Sequence, residues 1–264
     1  MTNLGNISKP YNGPVIVIVG PTASGKTGAA ISLAKKIGGE IISADSRAIY
    51  KYMDIGTAKP SMAEQDGIPH FGIDLVEPGE RFTVADFKEY AETKIREIRE
   101  RGHVPIVAGG TGLYVDALVF DYQFDGLSKD DKHGTPEGKE SAGTYKDRTE
   151  MSKDFVVFGI SWEPEELRAR ISLRMRQMYC DALYDETRFL VSKYGWGSQA
   201  MKSNVYQFAY KYLNNECSLD EAVEQSIYDD WHLAKRQITW FKRNKNIQWY
   251  RLDQLEDAIL ALFS

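Results

Sequence analysis

The chain has 264 residues, a net charge of −5 at pH 7 and 42% hydrophobic residues. This composition suits one large globular domain, or a core with a smaller appendage, and the acidic total argues against a general nucleic-acid binder. No apolar stretch reaches the roughly 20 residues that span a bilayer. Residues 1–13 lack the regions of a secretory signal, and Cys180 and Cys217 have no metal-type spacing, so we expect a cytoplasmic protein with reduced thiols.

The first half alternates strand and helix patterns. An apolar run at residues 15–19 precedes a helical stretch from 26 to 37 that ends at two glycines, and short strands are predicted at 40–43 and 71–75. Residues 83–101 then repeat apolar positions at helical spacing. Such alternation predicts a parallel sheet flanked by helices.

Helix boundaries follow from capping signals. Thr83 with Asp86 forms a capping box, and Gly102 supplies a stop. Another buried strand is predicted at residues 104–108, followed by a glycine pair and a helix through about Leu118.

The composition changes after residue 124. Residues 125–154 are rich in charge, Gly, Ser and Thr, which predicts a long loop or disordered linker. A strand at 155–160 follows, and the rest is mostly helical, with Pro164 in a first turn and a capping box at Ser218. We therefore predict a core at 1–124, a polar linker at 125–154, and a last core strand with a helical C-terminal part at 155–264.

The octet GPTASGKT, residues 20–27, fits the phosphate-binding pattern G-x-x-x-x-G-K-[ST] at every fixed position. Gly20 and Gly25 permit a backbone that points N–H groups at phosphate oxygens. Lys26 supplies a positive charge, and Thr27 supplies a hydroxyl for Mg²⁺. The predicted phosphate loop consists of Gly20, Pro21, Thr22, Ala23, Ser24, Gly25, Lys26 and Thr27. A glycine-rich turn between a strand and a helix is the simpler alternative.

An acidic residue follows the second predicted strand. In EIISADSRAIY, residues 40–50, Asp45 lies just beyond the strand, and the carboxyl ends of parallel strands face the ligand crevice. Asp45 is compatible with three roles: a Mg²⁺ ligand, an acceptor for a substrate proton, or the N-cap of a short helix from Ser46. The pattern leaves all three open.

A second glycine turn opens on the same edge. In VAGGTGLY, residues 107–114, Thr111 offers a hydroxyl and an N–H, although a tight packing turn is the explanation that the pattern alone favours. In AKRQITWFKRN, residues 234–244, Trp240 and Phe241 are more typical of core than of base stacking. The better candidates for phosphate contact are Lys235, Arg236, Lys242 and Arg243. A second basic cluster comprises Arg168, Arg170, Arg174 and Arg176, and for both clusters solvated helix faces remain an alternative.

Together these stretches resemble the tRNA dimethylallyltransferases, the isopentenyltransferases that modify adenosine next to the anticodon. GPTASGKT, ISADSRAIY, MDIGTAKP, AGGTGLY and AKRQITWFKR are similar to that family's signatures and stand in the same order. The resemblance covers residues 14 to 120 and returns from about 155 to 250. It implies a P-loop NTPase-like α/β fold with a mostly helical C-terminal part.

The resemblance implies that the phosphate loop holds the diphosphate of dimethylallyl diphosphate, with Mg²⁺ as cofactor, and that the adenine N6 amine of tRNA attacks the allylic carbon. Asp45 matches the acid that accepts a hydrogen bond and the proton from the amine. Lys26, Mg²⁺ bound by Thr27 and an arginine, first Arg174 and next Arg170, stabilise the leaving diphosphate. The implied tRNA contacts are Asp45, Ser46, Arg47, Ala48, Thr111, Lys235 and Arg236.

Three features depart from the family's pattern. The polar stretch 125–154 stands where the family carries a helical insertion that embraces the anticodon stem-loop. Ala48 occupies a position where glutamine is common. The stretches YDDWHL before residue 234 and NVYQF at 204–208 also differ. These departures concern the grip on tRNA more than the transfer of the prenyl group.

Three other functions remain open. The same transfer to a free adenine nucleotide would need no tRNA clamp. A small-molecule P-loop kinase would use Asp45 as base toward a hydroxyl, and a non-catalytic nucleotide-binding protein would need neither Asp45 nor Thr27. No coiled-coil pattern is present, so we expect a monomer.

Overall fold

The computed structural model describes residues 9–124, 150–197 and 200–263. Its strands form one six-stranded parallel sheet in the order β3-β2-β4-β1-β5-β6. The strands are β1 Val15–Val19, β2 Gly39–Ser43, β3 His70–Phe71, β4 Val104–Gly109, β5 Phe155–Ser161 and β6 Gln248–Arg251. Strands β2, β3 and β4 lie on one side of β1, and β5 and β6 lie on the other. The direction of strand order therefore reverses at β1, and such a reversal opens a crevice at the carboxyl end of the strand.

Helices cover both faces of the sheet. They are α1 Lys26–Ile37, α2 Met62–Gln65, α3 Val84–Glu100, α4 Gly112–Val119, α5 Pro164–Met178, α6 Asp181–Tyr194, α7 Asn204–Leu213, α8 Leu219–Phe241 and α9 Leu252–Leu260. Helices α1 and α9 bury one face, and α3 and α4 with the end of α8 bury the other. A third core joins α5, α6, α7 and α8 to the segment around Ile49 and Met53. The α/β fold and the helical C-terminal part are confirmed.

Local capping explains why several helices begin where they do. The predicted capping box at Thr83 and Asp86 starts α3, Ser218 and Glu221 start α8 in the same way, and Pro164 is the first residue of α5. In α1 the left-handed Gly38 ends the helix (φ 66°). No described helix is both long and apolar enough to cross a membrane.

Some predicted elements differ in the structure. The strand predicted at 71–75 is reduced to His70–Phe71, because Gly72 turns the chain with φ 79° and packs against the Ser43 carbonyl. The edge strand β6 was missed within the helical region. No helix follows Asp45, since residues 46–49 form turns. Residues 125–149 of the predicted linker lie outside the described part of the chain.

Candidate active site

A cleft of about 810 Å³ opens at the carboxyl ends of β1, β2 and β4. One side, which we call the strand-end wall, consists of residues 22–28, 45–47 and 110–113. The other side, the helical wall, consists of residues from α5 and α8: Arg170, Leu173, Arg174, Met175, Gln177, Met178, Asp230, Leu233, Arg236, Gln237 and Trp240. The turn of Gly56, Thr57 and Ala58, together with Ser203 and Val205 at the start of α7, completes the lining.

The phosphate loop has the backbone that its sequence predicts. Gly25 has φ 93° and Ala23 has φ 59°, and α1 begins at Lys26. Gly20 and Pro21 are buried behind the loop, while Thr27 is exposed to the cleft. The first-turn N–H groups of α1 therefore face the same space as the loop, which makes this end of the cleft favourable for an anion.

Lys26 lies at the centre of the charged groups. Its Nζ donates to the Pro21 carbonyl at 2.6 Å. Burial lowers the pKa of Lys26 to about 8, because little water solvates the ammonium group; the carboxylates of Asp45 and Asp230 oppose the shift, and the Arg174 guanidinium adds to it. An anion in the cleft would stabilise the protonated form and oppose this shift.

Asp45 and Thr111 meet where β2 and β4 end. The Asp45 Oδ1 accepts the backbone N–H of Arg47 at 2.8 Å, so the carboxylate caps a turn. The Thr111 Oγ1 accepts the backbone N–H of Ser46 at 2.9 Å. Two segments 65 residues apart in sequence thus hold each other, with Asp45 on the cleft surface.

Both arginines favoured by the sequence analysis reach the phosphate loop. The Arg174 Nη2 donates to Asp230 Oδ2 at 2.6 Å and to the Thr22 hydroxyl. The Arg170 Nε donates to the Ala23 carbonyl at 2.8 Å, and its guanidinium lies 4.5 Å from the centre of the Trp162 ring. Within the described chain, the buried Nε of Arg174 has no hydrogen-bond partner.

Gln237 joins the two walls directly. Its Oε1 accepts the backbone N–H of Thr22 at 2.7 Å, and its Nε2 donates to the Gly110 carbonyl at 3.0 Å. Trp240, one turn later, packs on Gly112 and donates from Nε1 to Asp116 at 2.8 Å. The AKRQITWF segment therefore braces the phosphate loop and the 110–112 turn, and Phe241 is core.

The structure brings most of the predicted site residues together. Those that line the cleft are Thr22, Ala23, Ser24, Gly25, Lys26, Thr27, Asp45, Ser46, Arg47, Thr111, Arg170, Arg174 and Arg236. Two predicted tRNA contacts do not: Ala48 is 5% exposed and belongs to the core, and Lys235 is exposed on α8 with its Nζ 5.8 Å from the Trp231 ring centre. For Ala48 the cause is the turn at 46–49, which directs that side chain inward.

Sequence reasoning missed two residues of the helical wall. Asp230, in YDDWHL, is buried and pairs with Arg174, and Gln237 bridges the walls as described above. Asp230 lies 56 positions after Arg174, and no local sequence pattern predicts a pair at that separation. Spacing on α8 is the available indication, because residues 230 and 237 lie two turns apart on one face.

The cleft fits a hard divalent cation that binds mainly through substrate oxygens. Oxygen donors at Thr27, Asp45 and Ser46 line it. The described residues hold no group of three His, Cys, Asp or Glu side chains suited to a metal. The oxygen donors that line the cleft suit a hard divalent cation whose other ligands are phosphate oxygens and waters.

The fold and the site define a class: a P-loop-type α/β protein with the phosphate-loop motif, a carboxylate and two arginines in one cleft. Comparison with known proteins is more specific. The IPP transferase family model matches residues 48–142 and 134–244, and an isopentenyl transferase model matches residues 13–74. The chain belongs to the IPP transferase family and is a prenyltransferase of the tRNA dimethylallyltransferase class.

Individual relatives support this membership over nearly the whole chain. A tRNA dimethylallyltransferase of Acetivibrio thermocellus is 39% identical over 290 aligned positions, covering 92% of this chain and 93% of the relative. The tRNA isopentenylpyrophosphate transferase of Bacillus halodurans superposes with a TM-score of 0.80 at 32% identity, covering 95% of each chain. The Staphylococcus epidermidis enzyme gives 0.80 at 33% identity, covering 96% of this chain and 99% of that one.

Proposed function

We propose that the protein transfers the dimethylallyl group of dimethylallyl diphosphate to N6 of the adenosine next to the anticodon of tRNA and releases diphosphate. One observation carries the proposal: the phosphate loop, Arg174 and Asp45 line the same cleft. A cradle for a leaving diphosphate beside a carboxylate suits transfer of a carbon group to an amine. We further propose that the protein acts as a monomer in the cytoplasm.

The diphosphate would occupy the loop end of the cleft. Backbone N–H groups of residues 23–27, the Lys26 ammonium and the Arg174 guanidinium would face its oxygens. As the bond between the allylic carbon and oxygen breaks, its electron pair moves onto the diphosphate, and these donors stabilise the developing charge. Arg170 would support them by holding the Ala23 carbonyl.

Mg²⁺ is the cofactor we propose, with Thr27 as its protein ligand. When bound, it would neutralise negative charge on the diphosphate oxygens and so make diphosphate a better leaving group. Thr27 is suited to this because its hydroxyl lies on the cleft surface at the first turn of α1.

Asp45 would act on the acceptor. The N6 nitrogen of adenine forms the new bond to the allylic carbon, and the proton it loses passes to the Asp45 carboxylate. The hydrogen bond from the Arg47 N–H fixes the orientation of that carboxylate beforehand. Adenine must leave the base stack to reach it, and Ser46, Arg47 and Thr111 line the cleft beside Asp45.

Contacts with the rest of the RNA would come from α8. Arg236 lines the cleft, and Lys235 is exposed next to it, so both are suited to backbone phosphates. Transfer to a free adenine nucleotide is the second candidate. It is favoured by the sequence of residues 125–154, a short polar stretch that stands where the resemblance implies a helical insertion embracing the anticodon stem-loop.

The test offers labelled dimethylallyl diphosphate and Mg²⁺ to the purified protein with three acceptors. These are an anticodon stem-loop with adenosine 3′ to the anticodon, the same stem-loop with guanosine at that position, and a mixture of AMP, ADP and ATP. We expect label on the adenosine stem-loop and none on its guanosine control, which lacks the N6 amine. Label on the nucleotides alone would establish the second candidate, and label on no acceptor would overturn both.

A further inference from the structure

The turn that completes the cleft is held from outside by a carboxylate. Glu186 of α6 accepts the backbone N–H groups of three successive residues: Asp54 at 3.0 Å, Ile55 at 2.9 and 3.1 Å, and Gly56 at 3.0 Å. Successive N–H groups that converge in this way form a nest for an anion. Here the protein fills the nest with its own side chain, from a residue about 130 positions away in the chain.

A buried tyrosine completes this contact. Tyr206 of α7 is fully buried and donates from its hydroxyl to the Glu186 Oε1 at 2.5 Å. Its ring lies against Gly56, where an added Cβ would come within 2.5 Å of ring carbon. Burial and the Glu186 carboxylate raise the pKa of Tyr206, so the hydroxyl stays protonated and keeps donating. The turn therefore contacts the Glu186 carboxylate of α6 and the Tyr206 ring of α7.

The turn needs such a grip because its backbone is unusual. Tyr52, just before the turn, and Ala58, at its end, have φ values of 62° and 53°, which residues other than glycine rarely adopt. The same face of α6 contacts the start of the segment: Phe189 packs edge-on against Tyr52 at 5.6 Å between ring centres, and the Lys193 Nζ lies 4.2 Å from the Tyr52 ring centre. Conformations of this kind persist when their surroundings enforce them.

The turn borders the apolar part of the cleft. Met175, Met178 and Val205 line the cleft and are nearly fully buried. They belong to the same apolar cluster as Met53, which begins the turn segment. This part of the cleft suits a short alkyl chain, whereas the diphosphate belongs at the charged end.

We propose that Glu186, with Tyr206, is a positioning residue that holds the 54–58 turn as the wall of the pocket for the alkyl chain of the prenyl donor. This inference rests on the proposed function, since it assigns the part of the cleft that selects the donor's hydrocarbon group. Glu186 is not among the residues that line the cleft, so we expect its effect to be confined to the affinity added by the alkyl chain and to selection by chain length.

The test compares two ligands that differ by the alkyl chain. Dissociation constants for dimethylallyl diphosphate and for inorganic diphosphate are measured by calorimetry with Mg²⁺ on the full chain and on Glu186→Ala. We expect the variant to bind dimethylallyl diphosphate about tenfold more weakly, an effect the size of one or two methylene groups, with inorganic diphosphate within twofold of the parent. The variant should also accept geranyl diphosphate better relative to the five-carbon donor.

Controls separate positioning from general damage. Asp185→Ala removes the exposed carboxylate next to Glu186, which pairs with Arg188 on the surface, and should change neither constant. Glu186→Gln keeps one acceptor oxygen and should restore part of the lost affinity. Tyr206→Phe keeps the ring against Gly56 and should show a smaller loss than Glu186→Ala.

Two results would overturn the inference: an unchanged ratio of the two dissociation constants in Glu186→Ala, or an equal weakening of both ligands. The outcome is independent of acceptor chemistry. If the parent protein transfers no label to any acceptor but its alkyl-chain affinity depends on Glu186, the proposed function fails and the positioning role stands. If transfer is observed and the ratio does not change, only the positioning role fails.

Discussion

The two walls of the cleft are built in different ways. The strand-end wall consists of contiguous motifs that follow β1, β2 and β4; local turns place most of its residues, and one contact between Thr111 and Ser46 joins two of the motifs. The helical wall depends on partners far apart in sequence: Thr22 and Asp230 are 208 residues apart, and Arg174 and Asp230 are 56 apart. One wall is therefore organised mainly by local turns, and the other by hydrogen bonds between distant segments.

Replacing Asp45 should have the largest effect, and it tests most directly whether the strand-end wall carries the proton acceptor. Asp45→Asn keeps the size of the side chain but removes the proton acceptor, so we expect kcat to fall by about 10²–10⁴-fold. Binding of dimethylallyl diphosphate should stay within about threefold, because the role of Asp45 is toward the amine. Single-turnover transfer and calorimetry on the same preparation measure the two quantities. A comparable loss of donor affinity would contradict this role.

Lys26→Ala should have the opposite pattern, with its main effect on diphosphate affinity. Removing a charge-assisted donor from the loop should weaken binding of inorganic diphosphate by about 10–100-fold. Lys35→Ala is the matched control, since Lys35 lies on the same helix and pairs with Asp66 on the surface. Normal diphosphate affinity in Lys26→Ala would show that the loop is not the diphosphate cradle.

Asp230→Asn tests the helical wall. The substitution removes the charge that holds Arg174 while leaving the guanidinium in place, so we expect kcat/KM to fall by about tenfold through loss of charge stabilisation in the transition state. Asp229→Asn is the neighbouring control and should change it by less than twofold. If Asp230→Asn acts through Arg174, its effect should disappear in an Arg174→Ala background, as a double-mutant cycle would reveal.

The smallest expected effect is a pH dependence of diphosphate affinity, which tests whether Lys26 contacts the bound diphosphate. Its pKa of about 8 lies below the usual Lys value because of burial, so the free protein loses the Lys26 proton as pH rises through 8. A bound diphosphate favours the protonated form, and affinity must therefore fall with rising pH, by about fourfold from pH 7 to 8.5. Lys26→Arg keeps a charge that does not titrate and serves as the reference for the titration of diphosphate itself. Equal slopes for both proteins would contradict the assignment.

The elements that the sequence predicts correctly are those with local causes. The run at Val15–Val19, the capping box at Thr83 and the glycines of the phosphate loop each act within a few residues. The errors have non-local causes. The strand after His70 is cut short because Gly72 packs on Ser43, and the Gln248–Arg251 strand exists because β5 offers a free edge to pair with.

Local sequence was enough to predict the groups that line the cleft, namely a phosphate loop, an acid after β2, a threonine after β4 and arginines on one helix. It also predicted that the loop, the acid and the threonine lie at one edge of the sheet, because the carboxyl ends of parallel strands meet there. Tertiary structure alone decided that Asp230 holds Arg174, that Gln237 joins the walls and that Glu186 closes the 54–56 nest. The physical reason is that hydrogen bonds between distant segments form only after the sheet and helices have packed, and no short stretch of sequence records them.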